Sequence, residues 1–273
     1  MRTDQDTNTL FTRQHEAYRR GRPDYPAQLY ARLVALLPAS MERALAWDCG
    51  CGSGQATMAL TAYFERVVAT DISQPQLDAA TPHERVDYLH APAHDVPSLR
   101  DQSVALVTAA TAFHWFDQQG FFNEAWRVLE PQGVLAIWSY ATHTVRGSEP
   151  IDQWTHALMR GELEPYWMPQ NIALMEHGYA RATIPFEGAV EVTQRVFGVG
   201  DEALTSRASM SLSQYLDYVC SWSASQRFLE REGESVRARF GGELERLWIQ
   251  SLGSKDALAA VEWPLFGRVF QRG

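Results

Sequence analysis

The stretch Leu45-Ala-Trp-Asp-Cys-Gly-Cys-Gly-Ser-Gly54 decides the fold of this chain. Its apolar beginning, Ala44–Trp47, predicts a short strand, and Gln55–Phe64 behind it is typical of a helix. The turn between them contains three alternate glycines, Gly50, Gly52 and Gly54. Glycine adopts backbone angles that other residues avoid, and it lets a ligand lie against bare main chain. We therefore predict a strand–turn–helix unit whose outward-facing amides bind polar ligand groups.

Two carboxylates accompany this turn. Asp48 stands at the end of the first predicted strand, and Asp71 follows a second one, Arg66–Thr70. The usual dinucleotide-binding turn reads G-x-G-x-x-G and brings a pyrophosphate to the helix N-terminus. Here the run is D-x-G-x-G-x-G, and the Asp48 carboxylate would repel a pyrophosphate and favour a cationic amine. An acid about 20 residues beyond a glycine turn is the usual ribose ligand. Together Asp48 and Asp71 suit S-adenosylmethionine better than NAD.

With these residues the sequence resembles the class I S-adenosylmethionine-dependent methyltransferases. The resemblance implies that Asp48–Gly54 cradles the methionine part of S-adenosylmethionine and that Asp71 binds the ribose hydroxyls. It places the adenine at Ala91–Asp95, behind a third predicted strand, Val86–His90, and it makes S-adenosylhomocysteine the product. The cofactor-binding residues predicted in this way are Tyr18, Asp48, Gly50, Gly52, Gly54, Asp71, Ile72, Ala93, His94, Asp95 and Ala110.

An aromatic segment follows the fourth predicted strand, Ser103–Ala110. In doubly wound sheets, ligands bind beyond the carboxyl ends of the strands, so Thr111–Asp117 is predicted to line the site. The segment resembles that of a methyltransferase subfamily acting on small organic acids, of which trans-aconitate methyltransferase is the best-known member. The N-terminal string 18–26, Y-x-x-x-R-P-x-Y-P, resembles the opening of the same subfamily. Ala105 is a departure, because the subfamily usually has an Asp at the start of this strand.

His114 is the predicted catalytic residue, and two roles remain open for it. A neutral imidazole takes a proton from a hydroxyl group, whereas a protonated one pairs with a carboxylate. A carboxylate acceptor is already ionised, so proximity and orientation would supply most of the rate and positioning is favoured over base catalysis. The substrate-binding residues predicted are Arg22, Tyr25, His114, Trp115, Tyr166 and Trp167. The aromatic residues among them are equally compatible with packing inside a core.

The composition argues against several classes of binding partner. The 273 residues carry a net charge of −9, which argues against a nucleic-acid substrate because such binding depends on phosphate neutralisation. Three cysteines form no disulfide framework and no set of four metal ligands, so we predict no metal site and a reducing, cytoplasmic location. No apolar run reaches the about 18 residues of a membrane span. We expect a monomer or a homodimer.

The order of predicted elements indicates an α/β fold. We expect a Rossmann-like sheet of seven mostly parallel strands with helices on both faces, and a mainly helical cap inserted in the C-terminal half. The predicted divisions are N-terminal lid helices (1–40), a cofactor-binding core (41–142) and cap helices with the closing strands (143–273). The closing strands are predicted as a hairpin of Glu187–Phe197 and Val261–Phe270, with one antiparallel member.

These features predict an S-adenosylmethionine-dependent methyltransferase that acts on a small molecule, at an oxygen of a carboxylate or hydroxyl group. An NAD-dependent oxidoreductase is an alternative, although the glycine spacing and Asp48 oppose it. A non-catalytic module that binds the cofactor without turnover is a second alternative. Methylation of a carrier-bound or macromolecular acceptor is a third.

Overall fold

A computed structural model describes residues 23–273 of the chain. The backbone forms two compact units. The larger consists of Asp24–Ala141, Ala173–Thr205 and Pro264–Gly273, and the smaller contains Thr142–Ile172 and Ser206–Trp263. No helix in the described part of the chain is long and apolar enough to cross a membrane.

The elements are numbered here along the chain. The strands are β1 (Leu45–Cys49), β2 (Arg66–Asp71), β3 (Val86–His90), β4 (Val104–Ala110), β5 (Leu129–Tyr140), β6 (Thr144–Val145), β7 (Ala189–Glu191), β8 (Thr205–Met210) and β9 (Ala259–Arg272). The helices are α1 (Ala27–Val34), α2 (Gln55–Leu60), α3 (Gln74–Asp78), α4 (Gln118–Val128), α5 (Glu149–Ala157), α6 (Pro169–His177), α7 (Thr193–Phe197), α8 (Leu212–Cys220), α9 (Ser223–Glu232) and α10 (Val236–Leu252).

The sheet of the larger unit is mostly parallel. Its strand order is β3-β2-β1-β4-β5-β9, with β1 to β5 parallel and the last part of β9 antiparallel to β5. Sequential order reverses at β1, whose neighbours are β2 and β4. Ligands of such sheets bind at this switch point, beyond the carboxyl ends of the strands. The glycine turn follows β1 and therefore lies at the switch point.

Both faces of this sheet are covered by hydrophobic cores. Successive strand residues point to opposite faces, and Ala46 of β1 lies in the core with α1, whereas Trp47 lies in the core with α4. The same alternation holds for Leu106 and Val107 of β4. Two-sided burial explains why β4 is apolar at nearly every position.

The smaller unit is mainly helical and has an aromatic and polar core. Tyr215 of α8 is fully buried, and its hydroxyl lies 2.6 Å from Nε2 of His143 and 2.7 Å from Oγ1 of Thr155. Trp263 donates its indole N–H to the Tyr218 hydroxyl at 3.0 Å. Within this unit β6 pairs antiparallel with Val261 and Glu262 of β9.

The predicted mostly parallel, Rossmann-like fold is confirmed, with nine strands among residues 23–273 instead of seven. One predicted strand is wrong, because Ala189–Phe197 is a three-residue strand, β7, followed by helix α7. Val192 and Val196 both enter the α1 core, and a spacing of four residues places two side chains on one face of a helix as well as on one face of a strand. The predicted hairpin is accordingly reduced to the pairing of β7 with the end of β9.

The division into units also differs from the predicted boundaries. Helix α1, predicted as part of the lid, has Leu29 and Leu33 fully buried in the core of the larger unit. Residues 173–205, which lie in the predicted division of cap helices and closing strands (143–273), belong to the larger unit as well. The remainder of the predicted lid, residues 1–22, lies outside the described residues.

Candidate functional site

The glycine turn after β1 has the left-handed backbone that its sequence predicts. The φ angles of Gly50, Gly52 and Gly54 are +66°, +54° and +88°. The turn is fastened to β2, because the amides of Gly50 and Cys51 both donate to the carbonyl of Thr70, at 2.7 and 3.0 Å. Helix α2 begins directly after Gly54. The main chain of the turn is thus held by the sheet.

Two of these glycines are also required by close contacts. A Cβ atom on Gly50 would lie 2.6 Å from Cβ of Ala112 and 2.9 Å from Cζ of Phe116. A Cβ atom on Gly54 would lie 2.5 Å from the Tyr88 hydroxyl oxygen. Gly52 differs, since the nearest atom to its Cβ position is Oε1 of Gln76 at 3.9 Å. The space beside Gly52 is therefore open enough for a ligand to approach the main chain.

Asp48 lies beneath the turn, and this differs from the direct ligand contact that the sequence predicts. Its carboxylate is fully buried and accepts hydrogen bonds from Thr57 Oγ1 at 2.6 Å and from Thr108 Oγ1 at 2.8 Å. Burial raises the pKa of Asp48 to about 6, although the two hydroxyl groups lower it and the negative charge of Asp71 raises it further. No Lys or Arg among residues 23–273 forms an ion pair with Asp48. Its charge therefore favours a cation above the turn without a direct contact.

Asp71 joins the end of β2 to the glycine turn. Its Oδ2 accepts the amide of Gly52 and its Oδ1 accepts the amide of Ser73, both at 2.8 Å. Burial raises the pKa of Asp71, and the bonds from these two amides oppose that shift. An ionised carboxylate has about four acceptor positions, so the two amides leave capacity for hydroxyl donors. Ile72, the next predicted contact, is 41% exposed.

Three buried polar atoms near these acids have no hydrogen-bond partner in the described part of the chain: Ser53 Oγ, Ser73 Oγ and Gln76 Oε1. Ser53 belongs to the glycine turn, and Ser73 follows Asp71. Buried polar atoms are almost always paired, so these three leave hydrogen-bonding capacity for a polar ligand beside the two acids. Ser53 lies inside the Asp48–Gly54 segment that is predicted to cradle the methionine part, whereas sequence reasoning missed Ser73 and Gln76.

The loop after β3 is held by helix α4. The amide of Val96 donates to Oε1 of Glu124 at 2.8 Å, and Arg127 donates to both oxygens of the same carboxylate. The pKa of Glu124 is lowered chiefly by the hydrogen bonds from Arg127 and to a smaller extent by the bond from the Val96 amide. A Cβ atom on Gly120 would lie 2.7 Å from Cβ of His94. These contacts fix the segment of Ala93, His94 and Asp95, in which Ala93 is buried and the other two are exposed.

The end of β4 carries the second group of predicted residues. Beyond the half-buried Ala110, Thr111 has a φ of +52°, which is a strained angle for a β-branched residue. Its hydroxyl lies 2.8 Å from the Tyr25 hydroxyl and accepts a bond from Ser139 Oγ at 3.4 Å. The Thr111 amide donates to the carbonyl of Trp138 at 2.7 Å. Several bonds thus hold this strained residue beside the predicted substrate residue Tyr25.

His114 and Trp115 follow in a single 3₁₀ turn, Phe113–Trp115. Nδ1 of His114 lies 3.1 Å from the hydroxyl of Tyr179. The rings of His114 and Trp115 have centroids 5.0 Å apart, and both residues are half-buried. Sequence reasoning missed Tyr179, which is 65 residues away from His114 and has no local motif.

Tyr166 and Trp167 belong to the smaller unit, and their polar atoms are already used there. The Tyr166 hydroxyl donates to Oε1 of Glu232 at 2.6 Å. The indole N–H of Trp167 donates to the carbonyl of Met159 at 2.9 Å. These hydrogen bonds do not support substrate contact by the two polar atoms. That the aromatic rings of Tyr166 and Trp167 contact the substrate stays a prediction. Tyr18 and Arg22 lie outside the described residues.

Fold and site together define a class of protein. A mostly parallel sheet with an antiparallel last strand, a glycine turn at its switch point and acids at the carboxyl ends of β1 and β2 are features of the nucleoside-cofactor sites of Rossmann-like enzymes. The open space at Gly52, the buried Asp48 without an ion-pair partner among residues 23–273, and the three polar atoms without a partner in the same range fit a cofactor that combines a cationic group with a ribose.

Comparison with known proteins identifies the family. A family model described as a methyltransferase domain matches residues 47–137. A protein of Dictyostelium discoideum named as a methyltransferase is 30% identical over 253 residues, 92% of this chain and 90% of that protein. A protein of Saccharomyces cerevisiae named as an S-adenosylmethionine-dependent methyltransferase is 32% identical over 130 residues, which are 45% of this chain and 44% of that one.

A solved structure agrees. A protein of Anaeromyxobacter dehalogenans described as a type II methyltransferase has a TM-score of 0.74 and 31% identity, covering 91% of this chain and 97% of that one. The chain belongs to the class I S-adenosylmethionine-dependent methyltransferases, and its cofactor is S-adenosylmethionine. This membership decides against the NAD-dependent oxidoreductase that the sequence left open.

Proposed function

We propose that this methyltransferase acts on a small molecule and transfers the methyl group to an oxygen, that of a carboxylate in preference to that of a hydroxyl group. The observation that supports this is the chemistry around Thr111. The hydroxyls of Tyr25 and Ser139 both lie within hydrogen-bond distance of the Thr111 hydroxyl, and the imidazole of His114 follows three residues further along the chain. Such neutral groups can donate hydrogen bonds to an anionic acceptor without a charge that competes with it.

In this proposal, different residues of the larger unit bind different parts of the cofactor and the acceptor. Asp71 would hold the ribose hydroxyls, and the loop containing Asp95 would border the adenine. The glycine turn would receive the methionine part, and Asp48 would favour its ammonium through charge rather than by contact. S-adenosylmethionine supplies an activated methyl group on a sulfonium when it is bound. His114 and Tyr25 would orient the acceptor oxygen, which is the contribution a carboxylate acceptor needs most.

The experiment incubates the protein with methyl-labelled S-adenosylmethionine and three panels of acceptors: small carboxylic acids, small alcohols and phenols, and acidic carrier proteins. A carboxylate acceptor gives a methyl ester, which mild base hydrolyses to labelled methanol, whereas an ether keeps its label. We expect base-labile label from the carboxylic acids. Label only on carrier proteins, or only base-stable label, would contradict the proposal.

The trans-aconitate-like subfamily, the monomeric or homodimeric state, the absence of a nucleic-acid partner and the cytoplasmic location remain predictions. The acidic charge supports the third of them, because the net charge of −9 opposes phosphate binding. A nuclease-treated preparation should therefore retain full activity on a small acceptor.

A further inference from the structure

We propose that Tyr179 is a positioning residue that fixes the tautomer of His114 and so selects an acceptor that is already ionised. The inference rests on the proposed function in one respect, since it assigns the acceptor class for the same site. The juxtaposition that carries it is the contact of the Tyr179 hydroxyl with Nδ1 of His114, at 3.1 Å.

The Tyr179 ring is fixed by aromatic neighbours. Only 5% of the residue is exposed. Its ring meets Phe113 edge-on at a centroid distance of 5.3 Å and Phe266 at 5.6 Å. Gly178, with a φ of +56°, lies so close to Phe266 that a Cβ atom would meet its ring at 3.1 Å. A side chain in this packing has little rotamer freedom, so its hydroxyl is held at one place.

The direction of the hydrogen bond follows from the relative strengths of the two groups. A phenol is a stronger acid than a neutral imidazole N–H, and an imidazole nitrogen is a better acceptor than a phenol oxygen. The favoured arrangement therefore has Tyr179 donating its O–H to Nδ1. A neutral imidazole carries one proton, so that proton is placed on Nε2.

This tautomer determines what His114 does. With the proton on Nε2, the neutral ring donates a hydrogen bond through Nε2 and has no lone pair there to accept a proton. It orients a carboxylate but does not deprotonate a hydroxyl group. The carboxylate oxygen then forms the O–CH3 bond as the C–S bond breaks, its electron pair stays on sulfur, and no proton is transferred. The products are a methyl ester and S-adenosylhomocysteine.

Imidazole nitrogen spectra of the whole chain test the assignment directly. Long-range proton–nitrogen correlation of ¹⁵N-labelled protein, at a pH at which the rings are neutral, reports which ring nitrogen is protonated. His114→Asn identifies the His114 signals among the eight histidines. We expect the Nε2–H pattern in the native protein and a shift towards a mixture of both tautomers in Tyr179→Phe. Tyr63→Phe, in the α1 core of the same unit, is the matched control and should leave the pattern unchanged.

Two results would overturn the proposal: an Nδ1–H pattern in the native protein, or an unchanged pattern in Tyr179→Phe. The native spectrum decides the tautomer even where Tyr179→Phe does not fold. With an accepted carboxylic acid, KM should rise about tenfold in Tyr179→Phe with kcat less affected, as the loss of one ordinary hydrogen bond predicts. If no carboxylic acid is methylated but the Nε2–H pattern is present, the tautomer assignment stands, whereas the proposed acceptor and its selection by His114 are both wrong.

Discussion

The glycine turn of the larger unit and the Tyr166-Trp167 turn of the smaller unit both attract attention in the sequence, and the structure separates them by their hydrogen bonds. Around the glycine turn, Ser53 Oγ and Ser73 Oγ are buried without a partner among residues 23–273. In the other turn, the Tyr166 hydroxyl and the Trp167 indole N–H both bond to protein groups of their own unit. Since buried polar atoms are normally paired, unused polar capacity indicates a ligand site better than residue type does.

The largest effect expected from this comparison is that of Gly50→Ala. The substitution combines a left-handed residue, which costs about 1–2 kcal/mol, with an overpacked contact at Ala112 and Phe116 that costs about 1–3 kcal/mol. We expect the free energy of unfolding to fall by about 3 kcal/mol and the affinity for S-adenosylhomocysteine to fall at least about 30-fold. Thermal unfolding and calorimetric titration measure the two quantities.

Gly52→Ala is the matched control, because its φ is equally left-handed while the position is open. Its free energy of unfolding should fall only by the backbone cost of about 1–2 kcal/mol. Its affinity for S-adenosylhomocysteine should nevertheless fall, because its Cβ fills the space assigned to the ligand. Equal stability losses in the two variants with unimpaired binding would refute the assignment of this space to the cofactor.

Tyr215→Phe tests the buried hydrogen-bond cluster of the smaller unit. It removes a hydroxyl that His143 Nε2 and Thr155 Oγ1 share inside a buried cluster. Losing a buried hydrogen-bond partner costs about 1–3 kcal/mol, so we expect about 2–3 kcal/mol less stability in chemical denaturation. The affinity for S-adenosylhomocysteine should stay within about twofold, because no group of the glycine turn takes part. A large loss of affinity in the folded variant would mean that the cluster serves the cofactor.

The pH dependence of cofactor binding comes next in size. The pKa of Asp48 is about 6, and burial is the main cause of the rise. The protonated carboxyl is favoured in the folded state, so its stabilising contribution is complete below about pH 4 and is lost as pH rises through about 6. Binding of a ligand whose ammonium group lies near Asp48 favours the ionised form instead. The affinity for S-adenosylhomocysteine should therefore rise about tenfold from pH 5 to pH 7.

Thr108→Val sharpens this prediction. The Thr108 hydroxyl lowers the pKa of Asp48, so its removal should move the midpoint of the binding curve to higher pH. Asp48→Asn should flatten the curve. If the pH curve of the affinity keeps its midpoint in Thr108→Val and its steepness in Asp48→Asn, a group other than Asp48 controls the pH dependence of binding.

The sequence predicted the region around the glycine turn well because its elements are encoded locally. The turn, Asp48 and Asp71 lie within a stretch of strand–turn–helix–strand, and β1 to β4 were each predicted close to their observed bounds. What it missed depends on contacts between distant residues. Thr108 bonds to Asp48 across 60 residues, and Tyr179 bonds to His114 across 65. Val192 and Val196 were misassigned because two valines four apart fit a helix face and an even-numbered strand spacing equally well.

Tyr166→Phe should have the smallest effect. It tests whether a polar group that already bonds to the protein takes no part in ligand binding. The hydroxyl lies at the surface and donates to Glu232, and hydrogen bonds of exposed groups to surface carboxylates contribute little net stability. We expect a melting temperature within about 2 °C of the native protein and an unchanged KM for the acceptor. Trp167→Phe, which removes the N–H that bonds to the Met159 carbonyl, should lower stability more, because that donor is partly buried. If Tyr166→Phe instead raises KM severalfold, the hydroxyl contacts the acceptor despite its bond to Glu232, and a satisfied polar group would no longer be evidence against a binding role in this protein.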